Sequence, residues 1–404
     1  MKNIKKLGAL LLALVLVLSL GATAFADSDL AGDGVDGSKT ATESSTKVTL
    51  YKELTVSNPS AAAVNAPTIS YAYEIAGAAG GSTITDADGI SAVTYDGVGA
   101  PTITATVAWD PSESVDASAT GAKNTKPIEV DFSGVTFPRA GVYRYKITET
   151  ITDAAYTAAG VVNGEISNER WLDVYVKDTN IIYGYVLMDA SPDTVTSATA
   201  KTEGFVATTG DGAKTADQYH TFNLTISKAV VDDAYIKSTH HQFPFTVTFT
   251  NATVTGAVKP IVSTNGTATL AQADAAAIAS FAATAPTIAD SSSVTYTGIP
   301  MGTEVSIVEQ NNVAGTTYAV TTAGADTNIT TAELVASGSS TTGTITVAAQ
   351  TAGNEADKTV TVTNTLALIS PTGVVLRVAP YILMLAGGVV LLALSRKRKA
   401  REEA

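Results

Sequence analysis

Apolar and polar residues alternate with a period of two over most of the chain, the spacing that puts successive side chains on opposite faces of a β-strand. The pattern predicts strands at 48–56, 67–75, 102–109, 127–132, 142–149, 171–177 and 181–188, then at 222–230, 244–250, 292–298, 303–309 and 359–366. Turn signals interrupt the first group at Asn58-Pro59, Gly80-Gly81, Pro111-Ser112 and Asn163-Gly164. Residues 266–286 are rich in alanine and fit either a short helix or a long loop. The expected fold class is all-β, with two tandem immunoglobulin-like β-sandwich domains at 47–218 and 219–368.

Charged residues break the apolar rows at a few points. Lys52 lies among Val48, Leu50, Leu54 and Val56, and Lys228 among Leu224, Ile226 and Val230. Two later strands carry inward acids: Glu149 follows Tyr143, Tyr145 and Ile147, and Glu309 follows Val305 and Ile307. The closing strand carries an inward amide, Asn364, between Val362 and Leu366. A buried ammonium is costly, so each lysine either has an acidic partner or has lost its charge. The plain reading is an ion pair, or a lysine reaching for solvent. The sharper reading is covalent. A neutral lysine attacks a side-chain amide or acid, a protonated glutamate polarises the carbonyl, and an amide results. Proximity in a rigid core stands in for an external catalyst.

The ends of the chain read as addresses. Lys2, Lys5 and Lys6 precede the apolar run Leu10–Leu20, and Ala24-Phe25-Ala26 offers cleavage before Asp27, the layout of a secretory signal peptide over 1–26. Residues 27–46 read as a flexible leader. At the other end Ile369-Ser370-Pro371-Thr372-Gly373 precedes the 17 apolar residues Val378–Leu394 and a basic tail, which reads as a transmembrane helix with its tail in the cytoplasm. This layout resembles the sorting signal of Gram-positive surface proteins. The resemblance implies that sortase, a membrane transpeptidase, cleaves between Thr372 and Gly373. Proline lies one position later than in the usual Leu-Pro-x-Thr-Gly, as in variants used by some pilus-specific sortases.

Cleavage at both ends leaves 16 basic against 36 acidic residues, a net charge of −20, which disfavours nucleic acid as a partner. The chain has no cysteine, although a secreted domain could use disulfides. His240-His241 is not joined by other ligands in the sequence and reads as a solvated pair; no metal or cofactor is expected. No nucleophile elbow or phosphate loop is present, so an ordinary enzyme is not expected.

The run from Phe137 through Gly141-Val142-Tyr143-Arg144-Tyr145 to Glu149, followed by Trp171-Leu172-Asp173-Val174-Tyr175-Val176, resembles the N-terminal domain of streptococcal major pilins. That family implies shaft subunits joined head to tail, with a self-made isopeptide bond in each domain. It implies Glu149 as the acid and Lys52 as the amine of the first domain, and Lys228, Glu309 and Asn364 as amine, acid and amide of the second. The first-domain acyl partner is Asp217 or Asn223, with Asp217 favoured. The acceptor for polymerisation falls late in the first domain, at Lys214 or, second, Lys201. Expected partners are sortase, further copies of the chain, minor pilins and peptidoglycan, on the cell wall outside the cell. The competing expectation is a monomeric wall-anchored adhesin that binds a host or microbial ligand.

Overall fold

The computed structural model describes residues 46–366, apart from residue 82 and segments 86–90, 177–181, 192–200, 209–212, 232–240, 265–266, 271–275, 278–285, 311–315, 323–328 and 333–343, together with residues 384, 385 and 389. The expected signal peptide with Ala26 and Asp27, and the sorting signal Ile369–Gly373, lie outside the described residues. Among the described residues no helix is long and apolar enough to cross a membrane.

The chain forms two β-sandwiches. In the first, β1 (Lys47–Ser57), β2 (Ile69–Gly77), β3 (Thr106–Trp109), β4 (Ala122–Asp131) and β5 (Gly141–Thr150) are followed by the short helix α1 (Asp153–Ala159), β6 (Glu169–Val176) and β7 (Ile182–Met188). One sheet runs β7-β6-β5-β2-β3. It faces a sheet in which β1 pairs antiparallel with β4 and parallel with β8 (Asp217–Val231). Val48, Leu50, Leu54 and Val56 share one core with Tyr143, Tyr145, Ile147 and Leu172, as the alternation requires. The strand expected at 67–75 begins and ends two residues later. That expected at 102–109 splits into Thr102–Ile103 and Thr106–Trp109.

β8 continues into the second sandwich, so the expected boundary at 218/219 falls inside a strand. There it pairs antiparallel with β10 (Ser293–Pro300) and parallel with β14 (Lys358–Leu366), which in turn pairs with β12 (Thr316–Thr322). The facing sheet contains β9 (Phe243–Thr250), β11 (Glu304–Glu309) and β13 (Thr344–Val347). Phe222, Leu224 and Ile226 lie in a second, separate core with Val247, Phe249, Val305 and Ile307. In the alanine-rich stretch the described residues form short strands at Thr267–Leu270 and Ala276–Ala277.

β8 changes face along its length. Asp217 and Tyr219 are buried in the first half, whereas Leu224, Ile226, Lys228 and Val230 are buried in the second. Odd positions therefore face the first core and even positions the second. The changeover coincides with a register shift against β10 at Phe222/Asn223, the kind of irregularity that re-aims side chains.

Helix α1 was not among the sequence expectations. Thr152 caps it by accepting the Ala155 N–H, Asp153 stands in the first turn, and Gly160 ends it at φ 70°. Its end docks on the second sandwich: the Ala158 carbonyl accepts N–H groups from Thr255 and Gly256. A Cβ at Gly160 would stand 2.9 Å from Val254 Cγ2, so that contact requires glycine as much as the backbone angle does.

Candidate functional site

Each sandwich holds a buried lysine beside a glutamate, Lys52 in the first and Lys228 in the second, and the two sites are built in the same register. In the parallel β1/β8 pair Leu54 faces Asp217, and Lys52 lies two residues before Leu54. In the parallel β8/β14 pair Val230 faces Asn364, and Lys228 lies two residues before Val230. The period of two then puts amine and acyl partner on one inner face. The glutamate comes from the facing sheet both times, Glu149 from β5 and Glu309 from β11.

In the first site Lys52 Nζ lies 2.9 Å from Glu149 Oε1 and 2.8 Å from Asp217 Oδ2, with all three residues buried. The ammonium sits 4.0 Å from the Tyr71 ring centroid, within cation–π range. Tyr73, the cross-strand neighbour of Glu149, donates its hydroxyl to Glu149 Oε2 at 2.6 Å. Tyr156 of α1 donates to Asp217 Oδ2 at 3.0 Å, and the Gly164 N–H donates to Asp217 Oδ1 at 2.8 Å. Burial, then the carboxylate each one faces, raises both phenols well above the ordinary tyrosine range. A cavity of about 360 Å³ opens beside the site, lined by residues that include Lys52, Glu149, Tyr156, Gly164 and Asp217.

The second site is more fully buried. Lys228 Nζ lies 3.2 Å from Glu309 Oε2 and donates to the Val362 carbonyl at 3.2 Å. Asn364 donates from Nδ2 to Glu309 Oε1 at 2.8 Å, and its Oδ1 is buried with no hydrogen-bond partner among the described residues. Burial pushes the Lys228 amine down to about 8 against the pull of the Glu309 carboxylate. Burial likewise raises Glu309 above the usual carboxylate range. Both shifts favour the uncharged pair that amide formation needs. The aromatic positions correspond, but their hydroxyls are missing: Phe243 stands 4.4 Å from Lys228 Nζ, and Phe245 is the cross-strand neighbour of Glu309.

Of the two acyl candidates, Asp217 meets Lys52 and Asn223 does not. Both are odd-numbered and lie on one face of β8, so strand parity alone could not separate them. Nor is Asn223 on a solvated face. It is buried at the junction, where it exchanges side-chain amide hydrogen bonds with Asn58 and also donates to Ser60 and Asp357. The expectation for His241 also needs correction. Its ring packs edge-on against Phe243 at 4.9 Å, and its buried Nε2 has no hydrogen-bond partner among the described residues. His240 lies outside them. Among the described residues no group of three His, Cys, Asp or Glu could hold a metal ion.

Lys214 lies shortly before β8, with its side chain 40% exposed and Nζ 3.7 Å from Asp189 Oδ2. Lys201 forms an isolated bridge with Met188 at the end of β7. Sequence reasoning missed Tyr73, Tyr156 and the Gly164 N–H. The alternation Ile69, Tyr71, Tyr73 could have revealed the first, and Thr152 and Gly160 bracketing a helix the second.

Residues 222–366, the second sandwich, match a family model described as a domain of unknown function, DUF7601. No curated protein matches the chain. Among solved structures, the chain is similar to a major pilin (T3.2) of Streptococcus pyogenes at 15% identity, covering 81% of this chain and all of that one, with a TM-score of 0.39. A second major pilin of that organism, T-13, matches at 17% identity over 80% of this chain and all of the other, with a TM-score of 0.34. A third matches at 20% identity over 79% and 98%, with a TM-score of 0.35.

Proposed function

We propose that the protein is the shaft subunit of a sortase-assembled, covalently polymerised pilus, stabilised by autocatalytic bonds Lys52–Asp217 and Lys228–Asn364. The observation that carries this reading is one register used twice. On parallel neighbours, the lysine stands two positions before the residue that faces the acyl side chain, and a glutamate from the opposite sheet meets each amine. An ion pair alone gives no reason for the second site to have an amide where the first has an acid.

At the second site the neutral Lys228 Nζ attacks Asn364 Cγ, the Cγ–Nδ2 bond breaks, and ammonia leaves with the proton that Glu309 carries across. With the amine near pKa 8, about a tenth of it is neutral at pH 7, against about one part in 3,000 for an ordinary lysine. A half-turn of the Asn364 amide, which exchanges its oxygen and nitrogen, brings the unpartnered oxygen onto protonated Glu309. At the first site water leaves instead. Each reaction happens once, so the chain is a substrate of sortase and not an enzyme that turns over.

Polymerisation joins the Thr372 carbonyl of one copy to a lysine amine of the next. Lys214, whose half-buried side chain reaches the surface, suits that role, and the last subunit is transferred to the cell wall. The intact mass of the chain from Asp27 to Thr372 tests the internal bonds. Loss of one water and one ammonia, about 35 Da together, supports both, and an unchanged mass refutes them. Wall extracts distinguish the shaft from a monomeric adhesin: a ladder of detergent-resistant species supports the shaft, whereas a single anchored species supports the adhesin.

A further inference from the structure

The two sites differ in a way their acyl partners explain. An ionised carboxylate is a poor acyl donor, because attack on its carbon piles charge onto two oxygens that already share one. Asp217 has a donor on each oxygen, the Gly164 N–H on Oδ1 and the Tyr156 hydroxyl on Oδ2. Among the described residues the Asn364 side chain donates only to Glu309, and its oxygen has no partner. Where the first site has Tyr71 and Tyr73, the second has Phe243 and Phe245.

We infer that two donors make Asp217 reactive: the Gly164 N–H is the oxyanion donor on Oδ1, and Tyr156 is a catalytic residue that holds Oδ2, the oxygen that departs as water. This rests on the isopeptide reading above. Lys52 Nζ gives one proton directly to Oδ2, 2.8 Å away, which leaves a neutral amine and a neutral acid whose carbonyl oxygen is Oδ1. The Nζ–Cγ bond forms while the Gly164 N–H stabilises the charge on Oδ1. A second proton passes from Nζ to Glu149, 2.9 Å away, and on to Oδ2 as the Cγ–Oδ2 bond breaks. The two protons lost by nitrogen are those the water carries off, so atoms and charge balance. The adjoining cavity receives that water.

Tyr156 keeps its proton throughout, since burial and the facing carboxylate hold the phenol neutral. Its position depends on the second sandwich, because α1 is tied there through the Ala158 carbonyl. The first bond therefore forms in a site that the second sandwich helps to assemble.

The test follows bond formation in chains recovered unlinked in denaturant and diluted into folding buffer, with intact mass and peptide mapping at timed quenches. Both tryptophans, Trp109 and Trp171, lie in the first sandwich, so their fluorescence reports its folding separately from linking. Tyr156→Phe is expected to fold and to form Lys228–Asn364 at the native rate, but to form Lys52–Asp217 about a hundredfold more slowly. A 3,5-difluorotyrosine at 156, a stronger donor of nearly the same shape, should link faster than tyrosine. Equal rates for Tyr, Phe and the fluorinated ring overturn the proposal while leaving the isopeptide reading intact. Failure of the unmodified chain to link Lys52 to Asp217 overturns both. If Tyr156→Phe does not recover native fluorescence, the fluorinated chain decides: a rate indifferent to phenol acidity refutes the role.

Discussion

Replacing Asn364 by alanine isolates the covalent contribution, because the Lys228–Glu309 pair stays in place while the acyl group disappears. Lys228 and Asn364 are 136 positions apart. Closing a loop of that length removes unfolded-state entropy worth about 5 kcal/mol in the chain model developed for disulfides. The lost Nδ2–Glu309 hydrogen bond adds about 1 kcal/mol. A domain of this size shifts its Tm by about 2–4 °C per kcal/mol, so the loss of about 6 kcal/mol should melt the second sandwich about 12–24 °C lower. Calorimetry of the native chain and the variant, paired with intact masses, gives the comparison. The reasoning fails if the native chain has lost ammonia and the variant still melts within about 3 °C of it.

The linking of Lys228 to Asn364 should have a bell-shaped pH dependence, because the reactive form shares one proton between an amine and a carboxyl. Burial depresses the amine to about 8, so the rate falls on the alkaline side once that proton is lost. Burial raises Glu309, so the acid limb lies above the usual carboxylate range; refolding into buffers of graded pH, read by mass, checks both limbs. Asn223→Ala should leave the water loss at the first site intact yet lower stability by about 1–3 kcal/mol, since the buried Asn58 amide and the buried Gly298 N–H each lose a partner. Denaturant melts measure that cost, and loss of the Lys52–Asp217 bond in this variant would instead make Asn223 the acyl group. Lys214→Ala should preserve both internal mass losses and abolish the polymer ladder, and a full ladder from this variant excludes Lys214 as the acceptor.

Both lysines, both glutamates and Asn364 were legible in the sequence because each lies in a strand whose own alternation fixes its face. Asp217 was harder. It shares its parity with Asn223, buried at the junction, and with Thr225 and Ser227, which belong to the outer face of the second sandwich. Only the passage of β8 from one sandwich to the other turns that face inward at Asp217. Partners joined across long sequence separations are likewise invisible to local pattern. Arg144 and Asp173 are fully buried and bonded at 2.8 Å between β5 and β6, on the face opposite Tyr143 and Tyr145. Alternation alone assigns that face to solvent. Helix α1 was lost for a related reason: seven residues rich in alanine carry little periodicity, and the contacts of Tyr156 with Asp217 and Tyr71 and of the Ala158 carbonyl with Thr255 and Gly256 are made to residues distant in the sequence.

The shared strand also decides where tension would travel. Pulled from its ends, a chain with both bonds formed carries load along β1 to Lys52, crosses to Asp217, and follows β8 for eleven positions to Lys228. It then crosses to Asn364 and leaves through the C-terminal segment. Residues 53–216 and 229–363 lie outside this path, so neither sandwich can lengthen without breaking a covalent bond. A load entering at Lys214 joins the same strand three positions before Asp217 and leaves by the same exit. Single-molecule extension should therefore find no unfolding step in the native chain. Asn364→Ala should release the 136 positions of the second loop, roughly 450–490 Å at 3.3–3.6 Å per residue. Asp217→Ala, pulled from the termini, should release the 165 positions between Lys52 and Asp217, roughly 540–590 Å. Steps of these lengths in the native chain would mean that the buried triads are ion pairs, with the load borne by hydrogen bonds alone.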